Sequence, residues 1–132
     1  MTWVEVFIAF VVSHLVGDYL LQTDWQARNK RSGLARGAPP AARRALFTHV
    51  STYTLAFVPV LALSDLGLGW EVLWVIPAIF LPHLIQDDGR LLHAYMQKVK
   101  RLDPMENLAV SIAVDQTFHL LALIVLALII GS

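Results

Sequence analysis

Four long apolar runs, separated by short stretches that hold every lysine and arginine, dominate this sequence of 132 residues. The runs are Trp3–Leu21, Ala45–Leu63, Trp70–Asp87 and Asn107–Ile130. Each approaches the roughly 20 residues that a helix needs to cross a hydrocarbon core of about 30 Å. Inside lipid only helices and closed barrels satisfy their own backbone, and these runs are continuous rather than alternating, so they predict helices. With 57% hydrophobic residues, the chain exceeds the roughly half that is usual for soluble domains. The expected fold is therefore all-α, an integral-membrane four-helix bundle making a single transmembrane domain over residues 1–132. Pro59, Pro77 and Pro82 predict kinks, and the third run, short and twice interrupted by proline, carries the weakest helical pattern. The first run has no basic segment before it and no suitably placed small-residue cleavage site, and it contains His14 and Asp18. It predicts a retained helix rather than a signal peptide.

The charges orient these helices. Arg28, Lys30, Arg31, Arg36, Arg43 and Arg44 follow the first run, and Arg90, Lys98, Lys100 and Arg101 follow the third. The second connection, Ser64–Gly69, carries Asp65 and no basic residue, and neither terminus has one. The positive-inside rule then predicts a multi-pass plasma-membrane protein with both basic connections in the cytoplasm and both termini on the other side. The first connection contains Gly33, Gly37 and Pro39–Pro40, which predict irregular structure through its middle. In the second, Leu91, Leu92, Tyr95, Met96 and Val99 recur at helical spacing among basic residues. They predict a short cytoplasmic amphipathic helix between spans three and four, lying on the inner membrane surface or capping the bundle. A formal net charge of zero argues against a nucleic-acid partner, and the absence of cysteine excludes disulfides and thiolate chemistry.

Polar groups at membrane depth cost several kcal/mol each unless they are paired, so each calls for a partner. His14 and Asp18 lie four apart on one helical face, and Gln22 continues it. His49 and Tyr53 follow in the second span. His83 and Asp87 repeat the spacing at the end of the third, and Asp115 and His119 reverse its order in the fourth, with Gln116 alongside. At a rise of about 1.5 Å per residue, Asp18, His49 and His83 lie roughly 6–8 Å inside the cytoplasmic boundary, Asp115 about 12 Å, and His14 and His119 roughly 14–18 Å. All four spans thus bring polar residues to the cytoplasmic half. The outer half has only Glu5 and Glu71, close to its boundary. His93, on the amphipathic segment, reads as solvated.

Imidazole and carboxylate are ligands for zinc, manganese or iron, and helix bundles build such sites from inward-facing pairs one turn apart. One His–Asp pair alone would read as interhelical hydrogen bonding. Three pairs and a further histidine at similar depth point to a divalent metal centre of one or two ions. The expected ligands are His14, Asp18, His83 and His119. His49, Asp87 and Asp115 are expected as catalytic groups or ligands to a second ion. Gln22 and Gln116 would hydrogen-bond substrate or water, and Arg43 and Arg44, with Arg28, would hold a phosphate.

The element His14-Leu-Val-Gly-Asp18-Tyr-Leu-Leu-Gln22, the histidine His49, the pair His83 and Asp87, and the element Asp115-Gln116-x-x-His119 occur in that order. Together they resemble the pattern of an uncharacterised bacterial membrane-protein family, a domain of unknown function, over nearly the whole chain. The resemblance implies a bacterial inner-membrane location and no activity. A looser similarity of pattern links the chain to membrane-bound metal-dependent hydrolases. Pro82, directly before His83, departs from that pattern and is expected to distort the entry to the pair.

The expected function is a metal-assisted hydrolysis of an amphiphilic ester or phosphoester, with the bilayer and a lipid-like substrate as partners. Two other readings compete. A proton or ion transporter needs a polar path that the apolar outer half does not supply within one chain, though a homo-oligomer could supply one between subunits. A non-catalytic membrane subunit would use the polar pairs only for helix packing.

Overall fold

The computed structural model describes residues 1–63 and 66–131, and among them the chain is helical with no strand. Ser64 and Asp65, in the second connection, lie outside the described residues. Helix α1 spans Trp3–Leu15 and opens on a capping box in which Thr2 Oγ1 accepts from the Glu5 amide while the Glu5 carboxylate accepts from the Thr2 amide. The helix then widens into a π-helical turn over Val16–Leu20. Gly17 lies in that turn, where a Cβ would stand 2.6 Å from Tyr53 Cδ2 and 3.1 Å from Tyr53 Cα. Any side chain at Gly17 would therefore push the turn off the neighbouring helix.

The first basic connection has no regular structure through its middle, as its composition predicts, but it opens with a helix. It contains α2 (Asp24–Asn29), started by a second capping box between Thr23 and Gln26, followed by turns through residues 31–37. Helix α3 (Pro40–Leu55) begins at Pro40 rather than Ala45, because a proline in the first turn lacks only an N–H that has no helical partner anyway. Its buried residues Ala42, Ala45, Leu46, His49, Val50 and Tyr53 follow the three-four spacing of one helical face. The helix ends in a turn at Ala56–Phe57 before α4 (Val58–Leu63). Pro59 explains the break, since it cannot bond to the Leu55 carbonyl and its ring crowds it.

A 3₁₀ turn at Gly69–Glu71 leads into α5 (Val72–Asp87). Contrary to the expected disturbance at Pro82, α5 runs through both Pro77 and Pro82 to Asp87. Gly89, at φ 79°, then turns the chain into α6 (Arg90–Tyr95), which continues as a π-helical turn over Met96–Lys100. Leu92 and Met96 are the buried face of this segment, and Tyr95 packs edge-on against Phe118 of the last helix at 5.2 Å. Leu91 and Val99 remain exposed. The amphipathic segment therefore caps the bundle through three of its five apolar residues, Leu92, Tyr95 and Met96. Asp88 ties the two basic connections together, since its carboxylate accepts from the Leu34 amide and pairs with Arg90, and its carbonyl accepts from the Ser32 amide.

Helix α7 (Leu108–Ile130) completes the bundle. It packs on α1 and α5, α5 packs on α3, and α3 packs on the π-helical turn after α1, which closes the ring. All four crossing segments are long and apolar enough to span a membrane. The outside of the bundle suits lipid, with Ile8, Leu20, Leu73, Leu121, Val125 and Leu128 exposed. Inside, Val6, Phe10, Phe57, Leu61, Val75, Ile79, Leu123 and Leu126 fill the end away from the basic connections. Polar side chains from all four spans lie toward the basic end.

Candidate metal centre

His14 comes from α1, Asp18 from its π-helical turn, His49 from α3, His83 and Asp87 from α5, and His119 from α7. Each of the four histidines is at most 2% exposed. Because α5 passes Pro82 unbroken, His83 and Asp87 stay one turn apart with Nε2 3.2 Å from Oδ2. His49 Nε2 lies 2.7 Å from the same Asp87 oxygen and 3.2 Å from His83 Nε2. Asp18 Oδ1 lies 3.3 Å from each of the two imidazole nitrogens.

These four donor atoms all fall within 4.8 Å of one another. A tetrahedral ion with bonds of about 2.0–2.1 Å sets its ligand atoms roughly 3.3 Å apart, the spacing seen here along most edges. Protons on the two imidazoles do not satisfy the group, since Asp18 Oδ1 is buried without a hydrogen-bond partner. A buried carboxylate oxygen that meets two imidazoles without a hydrogen bond is under-satisfied, and a cation among the four atoms would remove that cost. The residues present therefore fit a divalent ion. The outward-facing Nδ1 atoms of His49 and His83 have no hydrogen-bond partner, so packing must orient the rings. Tyr53 does much of this, stacked on His83 with centroids 3.4 Å apart and planes 4° from parallel.

The family model described as "Protein of unknown function (DUF3307)" matches residues 6–132, a span that includes every residue of this centre. The chain belongs to that family. No curated protein and no solved structure matches it. The DUF3307 description carries no activity, so the chemistry has to be read from the geometry.

Of the four ligands expected from sequence, the structure brings Asp18 and His83 into the cluster, together with His49 and Asp87. His14 and His119 lie beside it, stacked on each other at 5.3 Å. The Gln22 side-chain amide lies 3.0 Å from His49 Nε2, and Gln116 Oε1 accepts from His14 Nε2 at 2.9 Å. The Asp115 carboxylate makes no hydrogen bond or ion pair among the described residues, and it lines a cavity of about 330 Å³ that reaches Asp18 and Asp87.

The same cavity exposes residues that the sequence did not single out. Lys30 Nζ donates to Asp87 Oδ2 at 2.6 Å, and Arg31 and Gln86 share the wall. The three arginines expected to hold phosphate lie elsewhere. Arg28 pairs with Asp24 at 3.0 Å on the surface, Arg44 sits over the Trp25 ring at 5.8 Å, and Arg43 is exposed on α3. Lys30 and Asp87 are 57 positions apart, and no local spacing relates them. His93 is exposed, as expected.

Proposed function

We propose that this protein holds a divalent metal ion between Asp18, His49, His83 and Asp87 and uses it to hydrolyse an amphiphilic ester or phosphoester at the cytoplasmic face of a bacterial plasma membrane. The observation that carries the reading is the set of four buried donor atoms at tetrahedral spacing, drawn from three packed segments. Relative to the sequence expectation, His49 and Asp87 take the places of His14 and His119 as ligands. An ion held there would supply Lewis acidity, lowering the pKa of a bound water and polarising the oxygen of the scissile group.

The chain's own residues supply the rest. Asp115 is an unpaired carboxylate in the cavity and the best placed group to accept a proton from water. Lys30 and Arg31 are the cations that an anionic head group would meet there. Leu108, Ile112 and Tyr19 also line this cavity and are each at least half exposed on the apolar exterior. A substrate could therefore keep its tail in lipid while its head group enters. The apolar plug of Val6, Phe10, Phe57 and Val75 at the other end favours an enzyme over a conducting path. Both basic connections then face the cytoplasm, where the cavity would open.

Elemental analysis of protein purified in mild detergent provides the test. The wild type should carry stoichiometric transition metal, and His49→Ala or Asp87→Asn should lose most of it. Metal-free wild type, or unchanged content in both variants, would remove the basis for the assignment.

A further inference from the structure

Asp18 and Asp87 each present only one carboxylate oxygen to the four-atom cluster. Their second oxygens, Asp18 Oδ2 and Asp87 Oδ1, face the two histidines left outside it. His119 Nε2 lies 3.4 Å from Asp87 Oδ1, and His14 Nδ1 lies 3.6 Å from Asp18 Oδ2.

The tautomers follow from the partners on the far side of each ring. His119 Nδ1 stands 2.8 Å from the Asp115 backbone carbonyl, which can only accept, so Nδ1 carries the proton. His119 Nε2 is then a bare lone pair, buried and without a hydrogen-bond partner, aimed at a carboxylate oxygen. His14 Nε2 likewise donates to Gln116 Oε1 at 2.9 Å, which leaves the lone pair on Nδ1. The Tyr53 hydroxyl, 3.2 Å away, donates to that Nδ1. With neutral rings, two acceptor nitrogens therefore face two carboxylate oxygens, and of the two only His14 Nδ1 has another donor, the Tyr53 hydroxyl. At His119 and Asp87 such an arrangement is repulsive unless a proton or a metal cation occupies the gap, and a cation shared with Asp18 would serve both carboxylates at once. Fixing a ligating imidazole by giving its other N–H to a carbonyl is also the usual way a protein sets a metal ligand.

We infer that the centre is dinuclear, with Asp18 and Asp87 bridging the first ion to a second divalent cation held by His14 Nδ1 and His119 Nε2. This inference rests on the reading of the first site given above. A transition metal of the manganese, iron or zinc type suits the mixed imidazole and carboxylate donors. Both bridging carboxylates would then use both oxygens, and all four buried histidines of the bundle would have a role in ligation.

Manganese(II) titration of chelator-stripped wild-type protein in detergent, followed by electron paramagnetic resonance, tests the pair. Two ions per chain with the spectrum of a spin-coupled pair are expected. His14→Gln and His119→Gln, each verified as folded by gel filtration, should bind a single uncoupled ion. A wild type that saturates at one uncoupled ion, abolished by His49→Ala, would overturn the second position and leave the first standing. A wild type that binds no ion would overturn both. The wild-type count decides the question even if a variant fails to fold.

Discussion

Lys30 shows how much a single residue contributes to the state of the centre. Its ammonium donates to the Asp87 oxygen that also faces His49 and His83, and its side chain is 15% exposed. Breaking a buried ion pair by removing one partner costs about 3–5 kcal/mol, because the other charge remains buried. Lys30→Met should therefore destabilise the metal-free protein by roughly that amount. The same change removes a positive charge beside the proposed ion, so metal affinity should rise. Competition titration against a chromophoric chelator measures this, and weaker binding in the variant would contradict a shared Asp87. Counting helical rise placed Asp18, His49, His83, Asp115, His14 and His119 in one half of the bundle, and that part was legible because helix geometry is local. It could not pair Lys30 with Asp87, since that contact arises from how a loop folds back over the bundle.

At the scale of elements, proline had different consequences in three places, and sequence alone did not separate them. Pro40 starts a helix, Pro59 follows a break, and Pro77 and Pro82 lie within an unbroken one. In α5 packing against α3 and α7 accompanies an unbroken backbone, a tolerance of proline typical of membrane-length helices. The capping segment offers a test at this scale. Leu92 and Met96 are its buried face, and Met96 is fully buried. Met96→Ala should lower stability by about 2–5 kcal/mol, the range for truncating a buried apolar side chain. Val99→Ala, on the exposed face, should change it by less than about 0.5 kcal/mol. Thermal unfolding in detergent compares the two, and equal effects would argue against docking through the Leu92–Met96 face.

For the whole molecule, the two ends of the bundle differ in kind. One is an apolar plug and the other a polar centre beneath two basic connections. The positive-inside rule predicts that those connections face the cytoplasm. A reporter active only in the cytoplasm, inserted at Gly37, should be active, and the same reporter after Ser132 should be silent. The reverse pattern would invert the orientation and move the proposed cavity to the other face of the membrane.

Hydrophobic length determined that this chain makes four membrane-length helices, and one-turn spacing determined which polar residues share a helical face. Both are properties of the helix itself, read along a single segment. Which histidines meet was decided only by tertiary structure. His14 and His119 had the same one-turn aspartate as His83, and His49 had none, yet it is His49 and His83 that share one set of donor atoms with Asp18 and Asp87. The rotation and approach of the helices made that choice, through a π-helical turn at Val16–Leu20, the close contact that Gly17 allows, and an α5 that stays helical past Pro82.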